Sequence, residues 1–194
     1  MPRQSDRKLR EYRDKRSLRS SGEPSGSRRM QRGDRFVVQK HDASRLHYDF
    51  RLEADGVLKS WAVPKGPSTD PRIKRLAMPT EDHPLDYIDF VGVIPAGNYG
   101  AGTVIVWDIG TYRNLTTDEC GRVVPVADAV ERGHVAVWLE GEKLSGGYAL
   151  TRTPRGWLLV KMKDDAADAR RNPVSTQPHS VLSGRTNDDL SSFE

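Results

Sequence analysis

The stretch Leu46–Glu53 reads Leu-His-Tyr-Asp-Phe-Arg-Leu-Glu. In a strand, successive side chains point to opposite faces. Tyr48, Phe50 and Leu52 then share one face, and His47, Asp49, Arg51 and Glu53 the other. The polar face lines up an imidazole, a carboxylate and a guanidinium. His41 ends the preceding strand, and Asp42-Ala43-Ser44-Arg45 reads as a hairpin loop. Residues flanking such a loop become cross-strand neighbours, with Cβ atoms ~5 Å apart. His41 and His47 would then converge on one ion, with Asp49 as third ligand. Two histidines and one carboxylate with open positions suit Mn, Fe, Co or Zn in a catalytic role. Arg51, one step along the face, is placed to hold an anion bridging to that metal. The competing reading is a solvated strand face with incidental histidines.

A second cluster lies in Glu81-Asp82-His83-Pro84-Leu85-Asp86-Tyr87. Pro84 suits the first position of a helix, with Asp82 or His83 as the cap and Tyr87 about one turn from His83. Either His83 donates a proton to a leaving oxygen, or it only caps the helix. Lys65 sits in a stiff Pro-Lys-Gly-Pro turn, and Arg72, Lys74 and Arg75 read as a basic loop that is either solvated or in reach of phosphates. Pro95–Gly102 (PAGNYGAG) lacks the Gly-Lys-Ser/Thr ending of a phosphate-cradling loop and precedes a strand, so it reads as turn chemistry. Trp61, Trp107, Trp138 and Trp157 all fall inside strands and read as core rather than as base-stacking platforms. His134 and His179 have no catalytic partner in the sequence. Cys120, the sole cysteine, sits beside Asp118 and Glu119, a setting that disfavours a thiolate.

These residues need elements to position them. Phe36–His41, Leu46–Glu53, Val57–Val63, Thr103–Asp108, His134–Glu140, Leu144–Arg152 and Gly156–Lys163 are short, rich in Val, Trp and Tyr, and separated by Gly, Pro, Asp or Asn. Asp55-Gly56 predicts a hairpin turn, and Val126–Arg132 a short helix closed by Gly133. The fold class is therefore mostly β, a compact barrel or sandwich with a few short helices. The expected organisation is a basic N-terminal arm over 1–34, a β domain over 35–163 and a polar tail or linker over 164–194. Within the arm, Leu9, Tyr12 and Arg16 share a helix face before Ser20–Arg29 breaks the pattern. Asp165–Arg171 allows at most a brief helix.

Composition narrows the function classes. The chain has 194 residues, 36% of them hydrophobic, and a formal net charge of +4. Its mean hydropathy is −0.69. No apolar run approaches the ~20 residues of a membrane span, and no apolar stretch follows the basic N-terminus as a secretory signal requires. One cysteine excludes an intramolecular disulfide and any multi-cysteine zinc site, which fits a reducing cytoplasm. The arm holds eleven Lys or Arg against five Asp or Glu, so the remainder is slightly acidic. A basic arm on a near-neutral body suits a polyphosphate backbone, and equally a disordered solubilising tail.

The run Val38–Glu53 (VQKHDASRLHYDFRLE) resembles the 3′-phosphoesterase domain of bacterial ligase D, the end-joining ligase. So do Leu58–Pro67 (LKSWAVPKGP), Lys74–Ala77 (KRLA), Glu81–Tyr87, Pro95–Asp108 (PAGNYGAGTVIVWD) and Gly141–Gly146 (GEKLSG), in the family's order over about residues 9 to 163. The resemblance implies a β-barrel end-healing enzyme, usually Mn²⁺-dependent, with Co²⁺ or Zn²⁺ as other ions. Such an enzyme removes a 3′-terminal ribonucleoside and then the 3′-phosphate, leaving a 3′-OH for ligation. It places the metal ligands on His41, His47 and Asp49, the phosphate-binding arginine on Arg51, and further active-site groups on His83, Tyr87, Gln39, Lys65 and Arg75. In the arm it places Arg16 and Glu23 near the site, although Ser17-Leu18 stands where the family has Asp-Phe. The implied partners are DNA or RNA primer-template 3′ ends and a separate ligase, polymerase or end-binding protein, with the chain itself a monomer away from membranes. Two rivals remain open at this point. His47-x-Asp49 with His83 also spells the triad of non-heme Fe(II) oxygenases, and a basic arm also suits a non-catalytic end-binding module.

Overall fold

Alternating strands and tight turns build a closed wall. The computed structural model describes residues 4–26 and 33–192. β1 (Arg35–Asp42), β2 (Leu46–Ala54) and β3 (Val57–Val63) form successive antiparallel hairpins. The β2–β3 turn is Asp55-Gly56, with φ of 50° and 78°. Two successive left-handed residues match the twist of a hairpin, which is why Asp-Gly works there. β4 (Lys74–His83) pairs with β3 and with β9 (Gly156–Lys161), and β8 (Ser145–Thr153) and β7 (His134–Gly141) continue the sheet. β6 (Gly102–Asn114) pairs with β7 through its last residues and with β1 through Thr103–Thr111, closing an eight-stranded antiparallel barrel. β5 (Gly92–Ile94) adds a short ninth strand beside the start of β6.

An eight-stranded barrel is just wide enough to be filled by side chains. Phe36, Val38, Phe50, Leu52, Trp61, Trp107 and Leu139 do so, each essentially inaccessible. The residues of opposite parity, Val37, Leu58 and Val106, face outward into a second core with Tyr12, Leu85, Tyr87 and Ile88. The wall carrying β1 and β2 is therefore covered on both sides. Every residue of β2 from Tyr48 to Ala54 is buried, so the solvated-face reading of its polar side fails.

The cover comes from both ends of the chain. α1 (Gln4–Lys8), α2 (Arg10–Asp14) and α3 (Leu18–Ser21) lie at the N-terminus, with Leu9 and Tyr12 buried and Lys8 ion-paired to Asp55. Within 4–26 the arm is thus no free tail; the break expected over Ser20–Arg29 lies partly outside the described residues. At the other end, α5 (Pro173–Thr176) and α6 (Asn187–Ser191) appear instead of a brief helix at Asp165–Arg171. The C-terminal stretch that carries α5 and α6 is strapped to the barrel: Trp107 Nε1 donates to the Gln177 carbonyl at 2.8 Å and the Val181 amide to the Val106 carbonyl at 3.1 Å. α4 (Val126–Arg132) ends on left-handed Gly133 as its sequence predicts.

The principal surprise is β4. Arg72 stays outside it, but Lys74 and Arg75 begin a strand rather than lying in a loop. Its outer face shows Leu76 and Met78, each 42% exposed, so the alternation that marks a half-buried strand is blurred. Pro79 lies beyond the residues that pair with β9, where its missing N–H breaks no ladder on that side.

Candidate metal centre and phosphate pocket

The β1–β2 register sets His41 opposite His47 and Gln39 opposite Asp49. With Arg51 two residues further along, five polar side chains share one wall face. One ligand atom from each of His41, His47 and Asp49 lies within 4.8 Å of the others, the arrangement a single ion needs. His41 Nδ1 is 3.6 Å from Asp49 Oδ2, and His47 Nε2 is 3.6 Å from Asp49 Oδ1. The opposite ring nitrogens are committed elsewhere. His41 Nε2 donates to the Gly100 carbonyl at 2.8 Å and His47 Nδ1 to the Arg45 carbonyl at 2.9 Å. Such outward bonds fix the tautomer and turn a lone pair inward, as in metal-binding histidines. The donor set and its orientation therefore fit a divalent ion.

Electrostatics agree. Burial works to raise the Asp49 pKa, but Arg51 and the two imidazoles hold it well below the usual carboxylate range. For His47, burial works downward, yet its bond to Asp49 leaves it above the ordinary histidine value.

Arg51 donates through Nε to Gln39 Oε1 at 2.8 Å, and its Nη2 lies 3.2 Å from Asp49. Its Nη1 is buried without a protein partner. Gln39 is held in turn by the carbonyls of Tyr87 and Phe90, at 2.9 and 3.2 Å. The guanidinium also sits 5.0 Å from the Tyr87 ring centre. A buried cation with an open donor beside a potential metal-ligand cluster has the chemistry to receive an anion.

His83 is no helix cap. It ends β4, and Pro84 precedes a single 3₁₀ turn, Leu85–Tyr87. Its Nδ1 donates to the Glu81 carbonyl at 2.9 Å, leaving Nε2 to accept from Arg16 Nη2 at 3.3 Å. Burial first, then the charges of Arg51 and Arg16, keep its pKa well below the ordinary value. Arg16 bridges Glu23 at 2.9 Å and Glu81 at 2.6 Å, and the Tyr87 hydroxyl donates to Glu23 at 3.0 Å. Burial, reinforced by Glu23, keeps Tyr87 a neutral phenol.

Together these residues line a cavity of about 310 Å³ that holds Arg16, Glu23, His41, His47, Asp49, Arg51, His83 and Tyr87. Gln39 lies behind Arg51. Lys65 and Arg75 do not line it: Lys65 is exposed in the turn after β3, and Arg75 lies half-buried on β4. Among the described residues the only metal-type cluster is completed by His41, not by His83 as an oxygenase triad requires. The sequence reading passed over Glu81 and Tyr99, which also line the cavity. Once β4 is seen as a strand, period two sets Glu81 on the face of His83; Tyr99 carried no signal beyond being an aromatic in a glycine-rich turn.

Comparison with known proteins matches residues 39–152 to the DNA Ligase D 3′-phosphoesterase domain family. The multifunctional non-homologous end joining protein LigD of Pseudomonas aeruginosa is 54% identical over 94% of the chain. Those of Mycobacterium tuberculosis and Mycolicibacterium smegmatis are 46% and 45% identical over 81% of it. The chain spans about a fifth of these relatives, 20 to 22% of their lengths. With barrel, cluster and pocket in place, the chain belongs to the DNA ligase D 3′-phosphoesterase domain family.

Proposed function

We propose that this chain is a metal-dependent phosphoesterase that heals 3′ ends in DNA repair, removing a 3′-terminal ribonucleoside and then the remaining 3′-phosphate. The observation that carries this reading is the open Nη1 of buried Arg51 beside the His41–His47–Asp49 cluster. His41, His47 and Asp49 hold the ion, with Mn²⁺ the expected species and Co²⁺ or Zn²⁺ compatible with the same donors. When bound, a divalent ion supplies neutralisation of the phosphoryl charge and activation of the attacking water. Arg51 grips a phosphoryl oxygen through its free donor, and Gln39 keeps the guanidinium aimed. His83 begins neutral. An arriving phosphate offsets the repulsion from Arg51 and Arg16, so the imidazole takes up a proton and delivers it to the departing sugar oxygen. Glu23, Glu81 and Arg16 form the wall that holds His83 and Tyr87 in place. Lys65 and Arg75 serve as further phosphate contacts outside the cavity, toward the remainder of the strand. The chain acts as a monomer on DNA or RNA primer-template ends, and a ligase consumes its 3′-OH product.

The test is a 5′-labelled primer-template ending in one ribonucleotide, incubated with the protein and Mn²⁺. Appearance of a shortened 3′-phosphate strand followed by a 3′-OH strand is expected. Tight end binding without metal-dependent cleavage would favour the end-binding module instead.

A further inference from the structure

The glycine-rich segment Pro95–Gly102 holds one aromatic ring in the open. The Asn98 amide and side chain both donate to the Pro95 carbonyl, at 3.2 and 3.1 Å, and the Ala101 amide to Asn98 at 3.2 Å. Gly97 and Gly100 adopt φ of 85° and 75°, left-handed conformations that let the chain double back. The segment is tied to the arm by Ser20 Oγ, 2.7 Å from Asn98 Oδ1. It is tied to the metal cluster by the Gly100 carbonyl, which accepts from His41. Tyr99 therefore stands one residue from the group that orients a metal ligand.

Its ring lines the same cavity as the cluster and Arg51. It is 51% exposed, whereas Tyr87, the other tyrosine lining that cavity, is 2% exposed. Among the described residues it is the only aromatic of the exposed large hydrophobic side chains. Lys15 Nζ and Arg16 Cζ lie 5.6 and 5.1 Å from its ring centre, so cations steady it. An accessible π-face at the rim of a phosphate pocket, on a pinned loop, is the chemistry that receives a nucleobase irrespective of its identity.

We propose that Tyr99 is the stacking platform for the nucleobase at the 3′ end of the bound strand, the contact by which the pocket favours a nucleotide over a bare phosphate. This rests on the 3′-end reading above. The alternative role for the ring is a clasp that only holds the arm through Lys15 and Arg16.

The experiment pairs protein and substrate changes. KM for 3′-phosphate removal is measured for wild type, Tyr99→Ala and Tyr99→Phe, on primers whose last nucleotide is normal or abasic. Stacking predicts that Tyr99→Ala raises KM on the normal primer by roughly 5- to 150-fold. Deleting the base should raise the wild-type KM similarly, the two changes together should add no further loss, and Tyr99→Phe should behave as wild type. A clasp would instead give Tyr99→Ala the same factor on both primers, and that result overturns the proposal, as does an unchanged KM on the normal primer. A second readout needs no turnover: a primer with 2-aminopurine as its terminal base is titrated with each protein. Quenching by wild type and Tyr99→Phe but not by Tyr99→Ala supports the platform even if wild type removes no phosphate, in which case only the phosphoesterase reading has failed. Equal quenching by all three removes the platform and leaves that reading intact.

Discussion

At the residue scale, His41 and His47 each commit one ring nitrogen to a backbone carbonyl, so a single lone pair per ring faces Asp49. An ion at this cluster competes with a proton on His47, whose pKa lies above the ordinary histidine value despite burial because Asp49 stabilises the imidazolium. The sign follows: metal binding strengthens as pH rises through that value and weakens as it falls. Calorimetric titration with Mn²⁺ between pH 6 and 8.5 should show affinity dropping toward about tenfold per pH unit at the acid end; a flat profile would take His47 out of the ligand set. His83 behaves oppositely, being neutral in the free protein because burial and two arginines oppose its charge. If it protonates the leaving oxygen once phosphate is bound, His83→Ala should lower kcat by about 10²–10⁴-fold on a nucleic-acid end. The loss should be much smaller on p-nitrophenyl phosphate, whose leaving group needs little protonation. Equal losses on both would leave His83 a binding group.

At the element scale, the β1–β2 hairpin does most of the positioning, and α6 locks it from outside. The Asn187 side chain is buried and donates to the carbonyls of Lys40 and Thr103, at 3.2 and 3.0 Å, bridging β1 and β6 next to His41. Asn187→Ala should cost about 1–3 kcal/mol in urea unfolding, since it strands buried carbonyls, and should weaken metal binding. Full metal affinity in a destabilised variant would show that the helix only supports the barrel. The hairpin was legible in the sequence because period two and a short loop determine which side chains meet. Val57–Val63 and Val126–Arg132 were legible to the residue, since each is flanked by Gly, Pro or Asp. β4 was not, because its outer face is apolar and its pairing partners β3 and β9 are far apart in sequence. The cover over the polar face was equally hidden: only tertiary contact shows that Tyr12 and Leu85 bury what alternation presents as solvent-facing.

Taken whole, the molecule is a filled barrel whose candidate site faces outward, roofed by its N-terminal arm. One of the arm's basic residues serves the fold itself. The Arg16 side chain is 5% exposed and paired with those of Glu23 and Glu81, which are 1% and 2% exposed, so its charge is satisfied within the protein. Arg16→Ala leaves buried Glu23 without its cation and Glu81 with Lys15 alone, and breaking a buried pair in this way costs about 3–5 kcal/mol. Thermal unfolding should register it directly, and a stability within about 0.5 kcal/mol of wild type would mean the arm is not the roof described here. Among the described residues no helix is long and apolar enough to cross a membrane.

The central claim is that His41, His47 and Asp49 hold the ion through which 3′ ends are processed. It is tested most directly by 3′-phosphate release from a labelled primer-template, measured for wild type, His41→Ala and Asp49→Ala after chelation and after Mn²⁺ is restored. Wild type should be inactive when chelated and recover with Mn²⁺, while both variants keep a folded circular-dichroism spectrum and stay inactive at any Mn²⁺ concentration. Wild-type turnover in chelator, or undiminished turnover by either variant, would contradict the account.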